Sequence, residues 1–329
     1  MNKDIRSFNT VSNSNLPRRE EKARRQRMAI LSAFVVFALM AVVGIAILIS
    51  SLVDGDGSVN VPDSYDTVDV AVSVDDTKFG DLVLVNSTHE YVFPEDNSHL
   101  AKIYDAYAAH GSDKPYVLGI SEFMDSTALH YMDQMLADFY QATGNKDVEL
   151  NAAYRTYKDQ ENLLGSPIEA GFSDHHTGLG CALKIKLPSG EKGNLDDNSE
   201  AYQWMTKNAA KYGFVVRYPE DKSEITGIEG YAYYFRYVGS AHATYMEEKG
   251  LCLEEYIETL KEYTADKPLR IKADDGDTYE VYYAKVEGDT TVKCPENYYY
   301  SISGTNEGGV VVTANLSMIN PGESTDTAE

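Results

Sequence analysis

Gly171-Phe172-Ser173-Asp174-His175-His176-Thr177-Gly178-Leu179-Gly180-Cys181-Ala182-Leu183-Lys184 is the stretch on which the fold turns. Two others belong with it. Upstream lies Tyr154-Arg155-Thr156-Tyr157-Lys158-Asp159-Gln160. Downstream lies Thr226-Gly227-Ile228-Glu229-Gly230-Tyr231-Ala232-Tyr233-Tyr234-Phe235-Arg236-Tyr237-Val238-Gly239, continued by Gly250-Leu251-Cys252-Leu253-Glu254-Glu255-Tyr256. None is decisive alone; their order is what carries information. Read as an extended strand, residues 174–176 send alternate side chains to opposite faces, so Asp174 and His176 do not converge with His175. That reading puts His176 on the surface and gives no replacement metal set from Cys181 or His242.

Around these stretches the pattern is mixed. Residues 127–143 carry Leu129, Met132, Met135, Leu136 and Phe139 at helical spacing, a core-facing stripe. Residues 199–211 read as a second helix, with Ser199 as N-cap and Gly213 as stop. Short helices are expected over 241–248 and 253–263, separated by Gly250. Residues 81–86 (DLVLVN) read as a buried strand, 214–219 (FVVRYP) as extended, and 231–238 as an aromatic strand. After Pro268, five β-type runs alternate with the turns DDGD, EGD and EGG. No phosphate-cradling glycine loop and no solenoid repeat is present.

The net charge is −23, from 29 Lys/Arg and 52 Asp/Glu. Residues 1–27 hold eight Lys/Arg and three Asp/Glu, so the tail is +5 and the remainder is −28. An acidic body repels phosphates, which argues against nucleic acid. Residues 28–53 (MAILSAFVVFALMAVVGIAILISSLV) carry no charge and are long enough for the ~30 Å hydrocarbon core. No A-x-A cleavage site follows. The basic tail stays cytoplasmic by the positive-inside rule, and the body lies outside. Residues 54–66, rich in Gly, Asp and Ser, read as part of a linker. Three widely spaced cysteines form no disulfide framework; buried thiols or one bridge remain open.

The three stretches together resemble the VanY-type family of zinc D-Ala-D-Ala carboxypeptidases, over roughly residues 80 to 265. Its pattern Y-R-S-x-x-x-Q, then S-x-H-x-x-G-x-A-x-D, then E-P-W-H-x-R-Y-V-G, matches in order. The resemblance implies an α+β fold, an antiparallel sheet with flanking helices. To this the sequence adds an N-terminal transmembrane helix and a small C-terminal all-β extension. The expected layout is a cytoplasmic basic tail (1–27), a transmembrane helix (28–53), a linker (54–79), a carboxypeptidase-like domain (80–265), a β-rich extension (266–318) and a disordered tail (319–329).

The resemblance also implies a mechanism. A His, an Asp and a second His hold zinc, and a Glu takes the proton of a zinc-bound water whose pKa falls from about 15.7 to about 7. Residue by residue, the first His is His175. The Asp position is Ala182, the second His is Tyr234, and the general base is Tyr231. A methyl offers no lone pair, and a neutral phenol is a poor ligand. Thr226-Gly227 and Phe235-Arg236-Tyr237 match without a gap, so no shift restores the ligands. The substrate-side positions Arg155, Gln160 and Ser173 are retained. No catalytic residue is intact, no cofactor is expected, and zinc enters only if the site is rebuilt.

The leading expectation is therefore a cell-membrane, single-pass pseudoenzyme that binds peptidoglycan stem peptide or an envelope partner through the old cleft. The alternatives are an active metallo-carboxypeptidase trimming D-Ala with rerouted ligands, and an envelope scaffold with no cleft ligand.

Overall fold

The computed structural model describes residues 65–320, all within one compact unit, Ser50–Glu329. The basic tail, the transmembrane segment, residues 54–64 of the linker and residues 321–329 lie outside the described residues. The strands are β1 (Thr67–Val72), β2 (Leu100–Lys102), β3 (Val117–Leu118), β4 (Phe123–Asp125), β5 (Val148–Asn151), β6 (Gly180–Lys186), β7 (Lys192–Asn194), β8 (Phe214–Val216), β9 (Tyr234–Tyr237), β10 (Leu269–Lys272), β11 (Thr278–Lys285), β12 (Thr290–Pro295), β13 (Tyr298–Gly304) and β14 (Gly309–Ile319). The α-helices are α1 (Ile103–Ala109), α2 (Ser126–Thr143), α3 (Tyr157–Glu161), α4 (Ser199–Ala209), α5 (Ser223–Thr226), α6 (Ser240–Lys249) and α7 (Leu253–Leu260).

The main sheet runs β3-β5-β6-β9-β8, with β7 also on β6. Every pair is antiparallel except the short edge pair β3–β5, which is parallel. Helix α2 covers this sheet. The Asp125 carboxylate caps it by accepting from the Thr127 and Ala128 N–H groups, and Gly144 at φ 71° ends it. Its buried stripe includes all five residues expected from the spacing, packed with Leu150, Leu183, Ile185 and Phe235. Helix α4 adds Ala201, Met205 and Ala209 to the same core. Its N-cap is Asn198, whose side chain accepts from the Ala201 N–H, so Ser199 is the first helical residue.

Three further expectations change. Residues 81–86 do not join a sheet, although Leu82, Val83, Leu84 and Val85 are all buried. Their backbone groups find other partners: Arg236 donates to the Asp81 and Val83 carbonyls at 2.9 and 3.1 Å, and Leu84 N–H donates to Thr305 O. Residues 67–72, assigned above to the linker, form β1 and pair antiparallel with the sequence-distant β12. The aromatic strand begins only at Tyr234, because residues 231–234 make a turn closed by Tyr234 N–H to Tyr231 O, 3.0 Å.

The C-terminal strands form a sheet in the order β10-β11-β14-β13. It shares one core with the helices: Leu269, Ile271, Val281 and Val311 pack with Leu82, Val215, Met246 and Tyr256. Alternation along β14 sends Val310 and Val312 the other way, into a cluster with Val72, Tyr282 and Cys294. All three cysteines are buried and free.

His242 on α6 fastens these parts together. Its Nδ1 pairs with the Tyr256 hydroxyl at 2.7 Å and its Nε2 with Thr313 Oγ1 at 2.9 Å. Burial pushes its pKa down to about 3. The folded value lies below the unfolded value of about 6.5, so the folded state disfavours the proton. This contribution is complete above pH 6.5 and is lost as pH falls toward 3. We expect wild type to lose stability relative to His242→Gln by up to about 1.4 kcal/mol per pH unit below 6.5. Urea midpoints of both chains at pH 7, 5.5 and 4 test this; parallel curves would refute it.

Candidate functional site

The site is assembled where β6 meets β9. Ala182 on β6 pairs directly with Tyr234 on β9, and with Asn151 on β5 on its other side. His175 lies just upstream, in a 3-10 turn over Asp174–Thr177, so the stretch read as extended is a tight turn. The His175 Nδ1 sits 2.7 Å from Ala153 O, a carbonyl that only accepts. The Nδ1 therefore carries the proton and Nε2 is bare. Burial, helped by the nearby Arg155 charge, holds the imidazole at a pKa of about 3, so it is neutral.

The Tyr234 ring packs edge-on against this imidazole, with centroids 4.7 Å apart. It is almost fully buried, in a cluster with Ala182 and Tyr218, flanked by Ala152, Ile228, Tyr231 and Tyr233. Gly180 makes room for it, since a Cβ there would sit 2.7 Å from the phenol oxygen. Burial, then the Asp174 charge, raises the Tyr234 pKa well above 10, so the phenol keeps its proton. Tyr231 stacks on Tyr233 at 5.6 Å and meets Tyr218 edge-on. The three positions that the resemblance assigns to the metal thus present a neutral imidazole, a methyl and a protonated phenol. These residues do not fit zinc. Among the described residues, no group of three or more His, Cys, Asp or Glu is arranged to hold a metal ion.

Asp174 is turned away from His175, into a buried charge network. Arg236 donates to its Oδ1, the Tyr234 hydroxyl donates to its Oδ2 at 3.1 Å, and Arg217 Nε lies 3.6 Å from Oδ1. Arg217 in turn makes a two-pronged pair with Glu254, at 2.9 and 2.7 Å. The network is neutral in sum: two guanidinium groups and two carboxylates. A signal for it was present in the sequence, as single arginines inside the apolar runs FVVRYP and YYFRYV.

His176, expected at the surface, is fully buried. Its Nδ1–H donates to Arg155 O at 2.7 Å and its Nε2 accepts from Gly171 N–H at 3.0 Å. The turn geometry causes this, because it points both histidines inward. Both rings are used to fix the backbone on which Arg155 stands.

The residues that the resemblance places on the substrate side, Arg155, Gln160 and Ser173, fare differently from one another. Arg155 lines an open cleft of about 600 Å³, with Asn97, Ile120, Glu122, Tyr154 and Asp159 among its neighbours. Its Nη1 donates to Gln160 Oε1 at 2.5 Å. Gln160 does not reach that cleft. It is buried, its amide donates to Ser166 Oγ and Ile168 O, and it borders a separate hollow of about 350 Å³. Ser173 is completely buried, and its Oγ has no hydrogen-bond partner among the described residues. Ala152 forms the inner wall where cleft and plug meet. At φ 40° it occupies the left-handed region without being glycine, a strain held by its surroundings.

Residues 121–240 match the family model described as VanY, D-alanyl-D-alanine carboxypeptidase. The chain is 31% identical over 258 residues to a D-alanyl-D-alanine carboxypeptidase of Enterococcus faecium, covering 76% of this chain and 80% of that one. It is 28% identical over 212 residues to the putative carboxypeptidase YodJ of Bacillus subtilis, covering 57% of this chain and 77% of the relative. Among solved structures it resembles the vancomycin-resistance D,D-dipeptidase VanXYg in complex with a D-Ala-D-Ala phosphinate analogue. The TM-score is 0.63 at 25% identity, over 76% of this chain and 99% of the other.

Proposed function

Because the chain belongs to the VanY-type D-alanyl-D-alanine carboxypeptidase family, we propose that it is a non-hydrolytic member that binds D-Ala-D-Ala-ended stem peptides. The observation that carries this reading is the contrast between two halves of one cleft. The hydrolytic half is filled by Tyr234, packed on His175 beside Ala182. The recognition half keeps Arg155 facing about 600 Å³ of open space.

The chemistry follows from the groups present. Peptide hydrolysis needs an activated water and a base to take its proton. A buried imidazole with a pKa of about 3 is too weak a base for that at neutral pH. Tyr231 supplies a phenol where a carboxylate is needed. Arg155 spends one donor on Gln160 and keeps others for a peptide carboxylate. The uncharged run 28–53 makes the protein, in this proposal, a single-pass cell-membrane protein with the cleft outside.

The test uses the purified full-length chain with acylated D-Ala-D-Ala peptides and added zinc. No D-alanine should be released, while calorimetry should register binding. Arg155→Ala should weaken that binding at least about tenfold, as for loss of a charged hydrogen-bond partner, in a variant that stays folded but loses about 1–3 kcal/mol because Gln160 Oε1 is left without its donor. D-alanine release at rates typical of an enzyme would overturn the non-hydrolytic part. Absence of any binding would overturn the recognition part.

A further inference from the structure

We infer that the outer edge of β13 is an interface at which a second copy of this chain adds its own β13, antiparallel, across a two-fold axis at Ser301. This goes beyond the peptide-binding reading and takes from it only the membrane anchor. Among the described residues, β13 has one sheet neighbour, β14. The direction of its outer backbone groups follows from Gly304, whose N–H turns away from β14 to Phe79 O at 2.7 Å. The N–H and C=O of one residue point to the same side of an antiparallel strand, and that side alternates along the chain. Tyr300 and Ile302 therefore present their backbone groups outward, with no strand opposite them among the described residues. A row of such groups is a template for another strand.

The composition of this edge points to a copy of itself. Tyr298–Gly304 (YYYSISG) holds no charged residue, in a chain that is 25% charged and carries a net −23. The opposite edge of the same sheet, β10, bears the exposed Arg270 and Lys272, a usual guard against strand addition. Two strongly acidic copies repel least where neither carries charge. With the axis at Ser301, Tyr300 of one copy lies opposite Ile302 of the second, and each such pair exchanges both backbone hydrogen bonds. Aromatic and β-branched side chains are favourable cross-strand partners. Both are half-buried against the cluster of Val72, Val292 and Val312, so pairing extends that apolar cluster across the axis. The attachment of the tether agrees. Tyr65 meets Tyr298 edge-on at 5.7 Å, and its hydroxyl donates to Glu280, which lies in register with Ala314 and so with Tyr300. The chain thus enters on the face that Tyr300 shares. A two-fold axis perpendicular to the joined sheet keeps both entry points on one face, about 20 Å apart along the strands. Residues 54–64 can span up to about 36 Å, so both anchors reach one membrane, where confinement raises the effective concentration of copies.

The experiment uses the full-length chain in liposomes at low protein density. Ser301→Cys sets two thiols opposite each other at a pair whose Cα atoms lie about 4.5 Å apart, within disulfide reach. Mild oxidation should convert most of it to a covalent dimer, while Lys272→Cys on β10 stays monomeric at the same density. The three native cysteines are buried and give no background. Ser301→Lys puts like charges directly opposite each other. It should weaken association, read as energy transfer between differently labelled copies, by about 3- to 10-fold. Equal cross-linking of the two cysteine variants would overturn the inference, as would energy transfer in wild type no greater than random mixing gives. So would a Ser301→Lys chain that keeps its thermal transition and associates as tightly as wild type. If that variant does not fold, the cysteine pair still decides. None of these results bears on peptide binding, which D-alanine release and calorimetry test separately.

Discussion

Ala182→Asp combined with Tyr234→His is expected to convert a chain that retains no zinc after dialysis into one that retains about one zinc per molecule. His175 already offers a bare Nε2, because its Nδ1–H is committed to Ala153 O. The two substituted positions face each other on paired strands, beside that imidazole. The exchange removes the ring that fills the site and supplies two ligands where zinc needs three plus an open position. Affinity should rise by several orders of magnitude, since one buried imidazole alone holds zinc weakly. Cobalt(II) substitution gives a readout independent of catalysis, as visible absorption of a tetrahedral site. Adding Tyr231→Glu should then produce D-alanine release, about 10²–10⁴-fold above the double variant, the usual range for a general base. Stoichiometric zinc in the wild-type chain would show that the account of the plugged site is wrong. So would a folded double variant that binds no zinc.

Asp174→Ala is expected to cost about 3–5 kcal/mol, the range for removing one partner from a buried ion pair. The Asp174 side chain is 1% exposed and faces two arginines whose side chains are fully buried. Without it, Glu254 is the only carboxylate among the described residues within ion-pair distance of either guanidinium group. Arg236 retains its bonds to the Asp81, Val83 and Tyr237 carbonyls, which should keep the loss nearer the lower end. Tyr234 also loses the acceptor for its hydroxyl. Urea unfolding of the variant measures the loss, and a change below about 1 kcal/mol would mean that the network does not hold the site together. The same experiment on Asp159→Asn provides the contrast, because that exposed carboxylate should change stability by no more than about 0.5 kcal/mol, as is usual for surface substitutions.

The residue types at positions 182 and 234 were legible because spacing along the chain is local. Ala182 and Tyr234 sit at fixed offsets from motifs that match without a gap, and the main sheet pairs them directly. The α2 stripe was legible for the same reason, since a 3.6-residue period shows within 17 residues. Gln160 and Ser173 were readable as motif positions but not as accessible ones. Whether a side chain faces a cleft depends on what the remaining elements bring over it. For Gln160 that is the loop carrying Ser166 and Ile168. For His176 it is the turn that replaces the expected extended chain.

The identities of the residues at the positions that the resemblance assigns to zinc came from the chain alone: an imidazole, a methyl and a phenol, with a second phenol at the general-base position. Linear order is enough for that, because a ligand is lost wherever its donor atom is absent. The fate of the space left behind belonged to the tertiary structure. Tyr234 fills it because Gly180 leaves room for its ring and Asp174 accepts its hydroxyl. Asp174 is held there by arginines from β9 and the segment after β8, which are close to it only once the sheet has formed. Burial and pairing are sums over distant contacts, and those contacts exist only in the folded chain.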